Sequence, residues 1–319
     1  LTVTGHVSVT GTLTGNASAI SVGSMIVNAS GTYTATSGTT TITSETSSHA
    51  FRVSGSGTLA NSDGTILITT PAETRIKMNG TGNIHNLTIN HASCVVFTHT
   101  DSAGITVEGD LTITAGTLNT SEQGGSDKNL TVTGDVDVTG TLTGNASAVT
   151  VGGIRINSGG TYLATSGTTE VTNRFTGTSN LWKNDGGTFT HNNGTVKFTD
   201  NDHSLVKELT FYNLEQASSL GDYALSWETQ SGTACTILGN LTITRGDFEI
   251  HAAGNTLDIH GQTILNGSSD TGARFNNDKN QTATITHHGI VTINGGTYHV
   301  EDGATVNMAG IRNLGGVVD

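Results

Sequence analysis

A long internal repeat constrains this chain more than any other feature of its sequence. Residues 1–43 return as residues 130–172, with 30 of the 43 positions identical. The copy continues more loosely beyond that point, so that Gly109-Asp110-Leu111 corresponds to Gly239-Asn240-Leu241. Because self-similarity at a long period is typical of repeat architectures, we expect copies of one structural unit stacked in sequence.

The repeat predicts three consecutive segments of one continuous solenoid. The first unit covers residues 1–129, the second covers 130–256 and a partial third covers 257–319. No signal peptide opens the chain and Leu1 is not a start methionine, so we expect a processed product or a segment of a longer protein. One Gly-Thr-Tyr motif occurs in each unit, at Gly31-Thr32-Tyr33, Gly160-Thr161-Tyr162 and Gly296-Thr297-Tyr298.

A shorter alternation within each unit predicts β-strands. Apolar residues alternate with Thr or Ser, as in Leu1-Thr2-Val3-Thr4 and Leu111-Thr112-Ile113-Thr114, and then Gly, Asn or Asp ends the run. A period of two is typical of strands with one buried face and one solvated face. With 43 Gly and 59 Thr among 319 residues, the chain is also rich in residues that disfavour helix interiors. The sequence therefore predicts an all-β fold.

Many short strands are compatible with a sandwich, a propeller or a solenoid. A repeat of roughly 130 residues contains too many strands for one propeller blade of about 40–50 residues. The strands also lack the two-residue Gly hairpins that antiparallel meanders use. Small aliphatic residues dominate the expected interior positions, with Trp182 and Trp227 as isolated exceptions. We predict a right-handed parallel β-helix with roughly 18–25 residues per coil and about 13–18 coils.

Charge and composition exclude several classes of protein. The formal net charge is −13 with only 13 Lys and Arg, which argues against binding of nucleic acid. No apolar run reaches the length of about 18 residues that a membrane-spanning helix needs. The two cysteines, Cys94 and Cys235, allow one disulfide at most, and we expect both to be small buried hydrophobic residues.

The runs at residues 109–118, 129–134 and 211–214 resemble a known group of repeats. They are similar to those of very long bacterial surface adhesins of the filamentous-haemagglutinin type, and of repetitive virion or tail-fibre proteins of marine phages. The resemblance covers nearly the whole chain. It implies an extracellular, cell-surface or virion rod without a cofactor, whose tip or outer face meets a host or a neighbouring molecule.

Acidic clusters are the first candidates for chemistry, because parallel β-helices include carbohydrate-cleaving enzymes. Asp135 and Asp137 share one strand face, where two carboxylates could bind Ca²⁺ or divide acid and base roles. The first repeat has His6 and Ser8 at these positions, so we expect Asp135 and Asp137 to be solvated residues without a catalytic role. We predict no catalytic residue, no cofactor and no enzyme activity.

A second polar cluster and the histidines are the candidates for metal sites. Asp200 and Asp202 are candidate Ca²⁺ ligands in the densest polar run, although an exposed turn is the favoured interpretation. The adjacent pair His287-His288 should point to opposite faces of its strand and so cannot chelate one metal. We also predict no metal site among the three histidines that lie within fifteen residues, which are His85, His91 and His99.

Outward threonines form the candidate binding surface, with Thr2, Thr4, Thr131 and Thr133 as its named members. Thr-x-Thr pairs resemble the ice-contacting rows of some insect antifreeze solenoids, but here they cluster around the starts of the units. Solubility and β-propensity provide a simpler reason for Thr on an outward face.

The function that we expect is that of a non-enzymatic structural or adhesive rod that binds through extended surfaces. A carbohydrate-cleaving or carbohydrate-binding β-helix is the main alternative, and ice binding is a weaker one. Because a solenoid exposes strand edges at both ends, we expect self-association, end to end or as a trimer, and a host-surface glycan or protein as a further partner.

Overall fold

A computed structural model describes eleven stretches of the chain: residues 1–99, 104–122, 125–200, 204–207, 210–218, 224–227, 234–250, 254–267, 272–277, 282–300 and 303–319. The described residues contain β-strands and no α-helix. Every pairing between these strands that has a defined register is parallel, and the sheets stack as a β-solenoid of about 12 turns. The predictions of an all-β fold and a parallel β-solenoid are therefore confirmed.

The strands are short and follow each other closely along the chain. In its first part they are β1 (Thr2–Val9), β2 (Thr12–Thr14), β3 (Ile20–Val27), β4 (Thr32–Thr34), β5 (Thr39–Ile42), β6 (His49–Val53), β7 (Thr58–Ala60), β8 (Thr65–Ile68), β9 (Glu73–Met78), β10 (Asn86–Thr98), β11 (Gly104–Val107), β12 (Leu111–Asn119), β13 (Asn129–Val132), β14 (Val136–Val138), β15 (Thr141–Thr143), β16 (Val149–Val151), β17 (Ile154–Asn157) and β18 (Thr161–Leu163). In its second part they are β19 (Thr168–Val171), β20 (Asn180–Asp185), β21 (Thr188–Thr190), β22 (Thr195–Phe198), β23 (Ser204–Lys207), β24 (Thr210–Phe211), β25 (Asn213–Ala217), β26 (Ala224–Trp227), β27 (Ala234–Ile237), β28 (Leu241–Ile250), β29 (Thr256–Ile259), β30 (Thr263–Asn266), β31 (Ala273–Asn277), β32 (Thr284–Gly295), β33 (Thr297–Tyr298), β34 (Thr305–Asn313) and β35 (Val317–Val318).

The chain divides into two compact units. The first contains residues 1–151, 155–167 and 185–190, and the second contains residues 152–154, 168–184 and 191–319. These units are defined by which residues pack together in the structure. The boundaries of the sequence repeats, after residues 129 and 256, stay a prediction.

Stacked aliphatic side chains fill the first unit. Residues at equivalent positions of successive coils pair in register, and the paired residues are buried. Alternate residues of each strand point inward, which is why the apolar members of the period-two pattern meet each other from coil to coil. One such row consists of Ile66, Leu87, Leu111 and Val136, and a second consists of Ile42, Ile68, Ile89, Ile113 and Val138.

Aromatic side chains stack in the second unit, which corrects the expectation of an interior filled by small aliphatic residues. Phe248, Phe275 and Tyr298 occupy one row, and the Phe275 and Tyr298 rings lie 4.9 Å apart at an interplanar angle of 6°. Trp182 is fully buried and meets Phe211 edge to face at 5.6 Å, so it is not isolated. Stacked and edge-to-face ring contacts of this kind add to the stabilisation that burial of the rings provides. The side chain of Trp227 lies outside the described residues.

Coil length varies more widely than the sequence predicted. In the second unit Val196 pairs with Leu214, whereas Thr263 pairs with Val291, so the second of these coils is much longer than the first. The longer coils consume more of the chain, so the solenoid has about 12 turns instead of the larger number predicted.

Asparagine and aspartate side chains tie one coil to the next at a corner that recurs along the chain. In the first unit, Asn86 Oδ1 accepts the Asp110 N–H at 2.8 Å, and Asp110 Oδ1 accepts the Asp135 N–H at 2.9 Å. In the second unit, Asn213 Oδ1 accepts the Asn240 N–H at 2.9 Å. Each bond satisfies a backbone donor at the start of a strand.

Glycine precedes the residue that donates its backbone N–H, because the corner is tight. A Cβ on Gly134 would overlap the Asp110 Oδ1 atom, and a Cβ on Gly239 would overlap the Asn213 Oδ1 atom. The Gly-Asp and Gly-Asn pairs of the repeat therefore have a steric cause: the glycine leaves room for the side chain that reaches across from the previous coil.

Candidate functional site

Threonines of successive coils form a flat outward row in the first unit. Three strands of successive coils, β15, β18 and β21, pair in register. The first residue of each strand stacks on the first residue of the next, and the third residue stacks on the third. We call this surface the threonine face. It consists of Thr141, Thr143, Thr161, Leu163, Thr188 and Thr190.

A second outward row of the same kind occurs nearer the beginning of the first unit. Thr12 and Thr14 of β2 lie beside Thr32 and Thr34 of β4, which pairs in turn with β7. The Thr-x-Thr pairs that lie near the starts of the repeat units therefore also stack on outward residues of neighbouring coils. The pairs Thr32/Thr34 and Thr188/Thr190 were not predicted, because their spacing is visible in the sequence but their register between coils is not.

The four threonines named from the sequence do not share one such row. Thr2 and Thr4 are exposed on β1, and Thr2 pairs with Ser21. Thr131 is half-buried on β13, and Thr133 is exposed just after that strand. Thr131 stacks between two other threonines of neighbouring coils, Thr106 and Thr150.

Asp137 has a structural partner. Its carboxylate accepts hydrogen bonds from the Arg155 guanidinium and from the Asn157 side-chain amide. The carboxylate raises the pKa of Arg155, chiefly through the hydrogen bond. Asp135 is buried at the corner described above rather than solvated. The expectation of two solvated residues is therefore wrong for Asp135, which is buried, whereas Asp137 is partly exposed and pairs with Arg155.

The candidate Ca²⁺ ligands are only partly within the described residues. Asp200 is half-buried and lies two residues after the end of β22, whereas Asp202 lies outside the described residues. The Ca²⁺ site stays a hypothesis.

An open groove of about 520 Å³ lies on the first unit. Asn83, Ile105, Asn129 and Thr131 line it, together with several glycines. The described residues in its lining include no carboxylate, imidazole or thiol. Hydrolysis of a glycosidic bond requires a pair of carboxylates or an equivalent acid and nucleophile, which this groove does not offer among those residues.

His287 and His288 point to opposite faces of β32, as predicted. His287 is 1% exposed and bonds to the Thr263 and Tyr298 hydroxyls, whereas His288 is on the surface. The partners of His288 there were not predicted from the sequence. His288 Nε2 lies 2.7 Å from Asp258 Oδ1, and His260 Nε2 lies 3.1 Å from Asp258 Oδ2. The sequence feature that could have indicated this cluster is the Asp258-x-His260 spacing, because residues two apart on a strand point to the same face.

The histidines at positions 85, 91 and 99 do not form a group with metal-ligand spacing among the described residues. His85 lies 3.7 Å from the Asp63 carboxylate, and His91 Nδ1 accepts the Ser93 N–H at 3.2 Å. His99 packs against His49 with ring centroids 4.9 Å apart.

Comparison with known proteins gives no relative: no protein-family description, curated protein or solved structure matches this chain significantly. Among the described residues, no helix has the length and apolar character needed to cross a membrane.

Proposed function

We propose that this chain is a non-enzymatic structural or adhesive repeat protein that acts at a cell or virion surface and binds its partners through extended strand faces. The observation that carries the proposal is the threonine face, where hydroxyl side chains of three successive coils lie in register. Such a surface offers many equivalent weak contacts spread over several coils, and a partner with its own repeating groups can use all of them together.

Two of the described carboxylates have structural roles, which supports a function without catalysis at those residues. Asp137 is held by Arg155 and Asn157, and Asp110 is held in the corner between coils. The groove beside Asn83 and Thr131 has no acid in its described lining. The main alternative, a carbohydrate-cleaving β-helix, is tested by incubation with a panel of polysaccharides followed by size analysis. We expect no depolymerisation, and release of oligosaccharides would overturn the proposal.

Adhesive binding is tested on a glycan array and on immobilised surface extracts of defined composition. The informative variant is Thr161→Lys/Thr188→Lys, which places long cationic chains on the threonine face. Its matched control is Thr106→Lys/Thr150→Lys, which alters two outward positions of another strand row of the same unit. We expect the first variant to lose binding and the control to keep it. Equal binding by both variants would show that the threonine face is not the binding surface.

Self-association through the coil that contains β34 is part of the same proposal, with a second copy of this chain as the partner. Ile311, Leu314 and Val317 of that coil are 43%, 58% and 55% exposed. Among the described strands, β34 has a defined register with β32. Sedimentation velocity should show assembly that Ile311→Lys/Val317→Lys abolishes. Monomers in both samples would overturn this part of the proposal.

Ice binding is a second candidate, favoured by the stacked pairs Thr12/Thr14 and Thr32/Thr34 and by those of the threonine face. Ala60 and Leu163 interrupt these rows. Shaping of ice crystals at micromolar protein, lost in Thr161→Lys/Thr188→Lys, is the expected result of this second function. Unshaped crystals would exclude it.

A further inference from the structure

We propose that Asp258, His260 and His288 form a surface site for a divalent transition metal ion of the Zn²⁺, Ni²⁺ or Cu²⁺ class. The site is independent of the proposed adhesive function, because none of the three residues belongs to the threonine face. It lies within the second unit, on the outward side of two successive coils.

The solenoid register brings the three side chains together. β29 pairs with β32 so that Asp258 lies beside Thr286 and Ile259 beside His287, which places His260 next to His288. Asp258 and His260 are two residues apart and point to the same face, as does His288 in the next coil. The buried residues Leu257, Ile259 and His287 alternate with them and fix this orientation from the inside.

The donor atoms converge on one point. One ligand atom from each residue can be chosen so that all of them lie within 4.8 Å of one another, and the two imidazole rings have centroids 4.9 Å apart. In a tetrahedral zinc site, with bonds of about 2.0–2.2 Å, ligand atoms lie roughly 3.3 Å apart. Side-chain exposures of 39% for Asp258, 48% for His260 and 52% for His288 leave these side chains room for the small rotation required.

The donor set selects the class of ion. Two imidazole nitrogens and one carboxylate oxygen suit zinc, nickel and copper, whereas Ca²⁺ and Mg²⁺ prefer a shell made of oxygens. Three protein ligands occupy three positions of a tetrahedron, and the fourth faces solvent and accepts water. Without metal, the Nε2 atom of each imidazole lies within hydrogen-bond distance of a different oxygen of Asp258. On binding, Nε2 directs its lone pair to the ion and the neutral ring carries its one proton on Nδ1.

A metal at this point would link two coils. Asp258 and His260 belong to one coil and His288 to the next, 30 residues after Asp258. An ion that binds the folded chain and not the unfolded chain raises the melting temperature, and the stabilisation grows with the logarithm of the free ion concentration above the Kd. Metal binding should therefore be visible both as stoichiometric uptake and as thermal stabilisation.

The test uses the untagged full chain, treated with EDTA, desalted and titrated with Zn²⁺ by isothermal titration calorimetry. We expect one tight site per chain and a melting temperature that rises with added Zn²⁺. His260→Asn and His288→Asn should each weaken binding by about tenfold or more, because each removes one of three protein ligands. His6→Asn, which alters an exposed histidine of a strand in the first unit, should change neither measurement.

Three outcomes would overturn the proposal. They are the absence of stoichiometric Zn²⁺ uptake, unchanged affinity in His288→Asn, and displacement of Zn²⁺ by millimolar Ca²⁺. A urea midpoint measured in EDTA establishes that each variant is folded. Asp258→Asn is the replacement for a histidine variant that fails this check, and it is expected to weaken Zn²⁺ binding in the same way.

Discussion

The Nε2 atom of His287 lies 2.8 Å from the hydroxyl oxygen of Tyr298 in the interior of the second unit. On its other side, Nδ1 lies 2.7 Å from the Thr263 hydroxyl, so a neutral imidazole with one N–H can satisfy both partners. Burial lowers the pKa of His287 to about 4 and raises the pKa of Tyr298. His287 pairs in register with Ile259 of the preceding coil, so the imidazole lies in an interior row next to an isoleucine.

Stability should fall in mild acid because of His287. Above its ordinary pKa of 6.5 the imidazole is neutral in both the folded and the unfolded chain. The free energy of unfolding is therefore not reduced by protonation of His287 in that range. As the pH falls from 6.5 towards the folded value of about 4, only the unfolded chain takes up the proton, so the free energy of unfolding decreases. The loss by about pH 4.5 is on the order of 2–3 kcal/mol.

Urea denaturation at a series of pH values, with EDTA present to exclude bound metal, measures this loss. His287→Gln removes the titrating group, so its free energy of unfolding should depend less steeply on pH, although it is less stable than the parent at neutral pH. Parallel pH profiles for the parent and the variant would contradict the assignment.

Gly134 should not tolerate a side chain. Gly134→Ala places a Cβ on the Asp110 Oδ1 atom and within 2.7 Å of the Gly109 carbonyl oxygen, so one coil must shift against the next. We expect a loss of about 1–3 kcal/mol in the free energy of unfolding. Gly11→Ala is the control, because no atom lies within 4 Å of its Cβ. Equal urea midpoints for the two variants would contradict the tight corner.

The corner bond of Asp110 should contribute measurably to stability. Asp110→Ala leaves the Asp135 N–H without its acceptor, and we expect a loss of about 1 kcal/mol in the free energy of unfolding. Asp110→Asn keeps an acceptor oxygen at the same place and should lose less than half as much. Equal losses for Asp110→Ala and Asp110→Asn would show that the charge of Asp110 matters and that the hydrogen bond does not.

Both cysteines should be unreactive in the folded protein. Cys94 and Cys235 are buried and form no disulfide, and burial raises the pKa of the Cys94 thiol to about 11. The thiolate is the reactive form, so a disulfide reagent at neutral pH should modify neither residue until urea is added. Rapid modification of either thiol without denaturant would place it at the surface.

The strands and their stacking could be predicted from the sequence because both follow from local patterns. The alternation in Leu111-Thr112-Ile113-Thr114 determines which residues face inward, and Leu111 and Ile113 are indeed buried. The Gly-Asp and Gly-Asn pairs were visible as breaks between strands. Their role as inter-coil links was not, because it depends on the register between residues of different coils, such as Asp110 and Asp135.

The site depends on coil lengths, which local patterns do not fix. His260 and His288 meet because the coil that separates Ile259 from its partner His287 is long. The coil that separates Val196 from its partner Leu214 in the same unit is much shorter, so no single period applied to the sequence brings the right pair together. The burial of Asp135 and the stacking of Thr161 on Thr188 could not be predicted for the same reason, since both depend on the register between coils.

Disulfide trapping on the threonine face tests the parallel, in-register stacking most directly. Thr161 and Thr188 are in-register neighbours of adjacent coils, whereas Thr190 is two residues out of register with Thr161. In-register parallel neighbours have Cα atoms about 4.8 Å apart and the diagonal pair about 8 Å, beyond the limit of roughly 7 Å for a disulfide. Peptide mapping after mild oxidation should find a disulfide in Thr161→Cys/Thr188→Cys and none in Thr161→Cys/Thr190→Cys. A disulfide only in the second variant would contradict the solenoid.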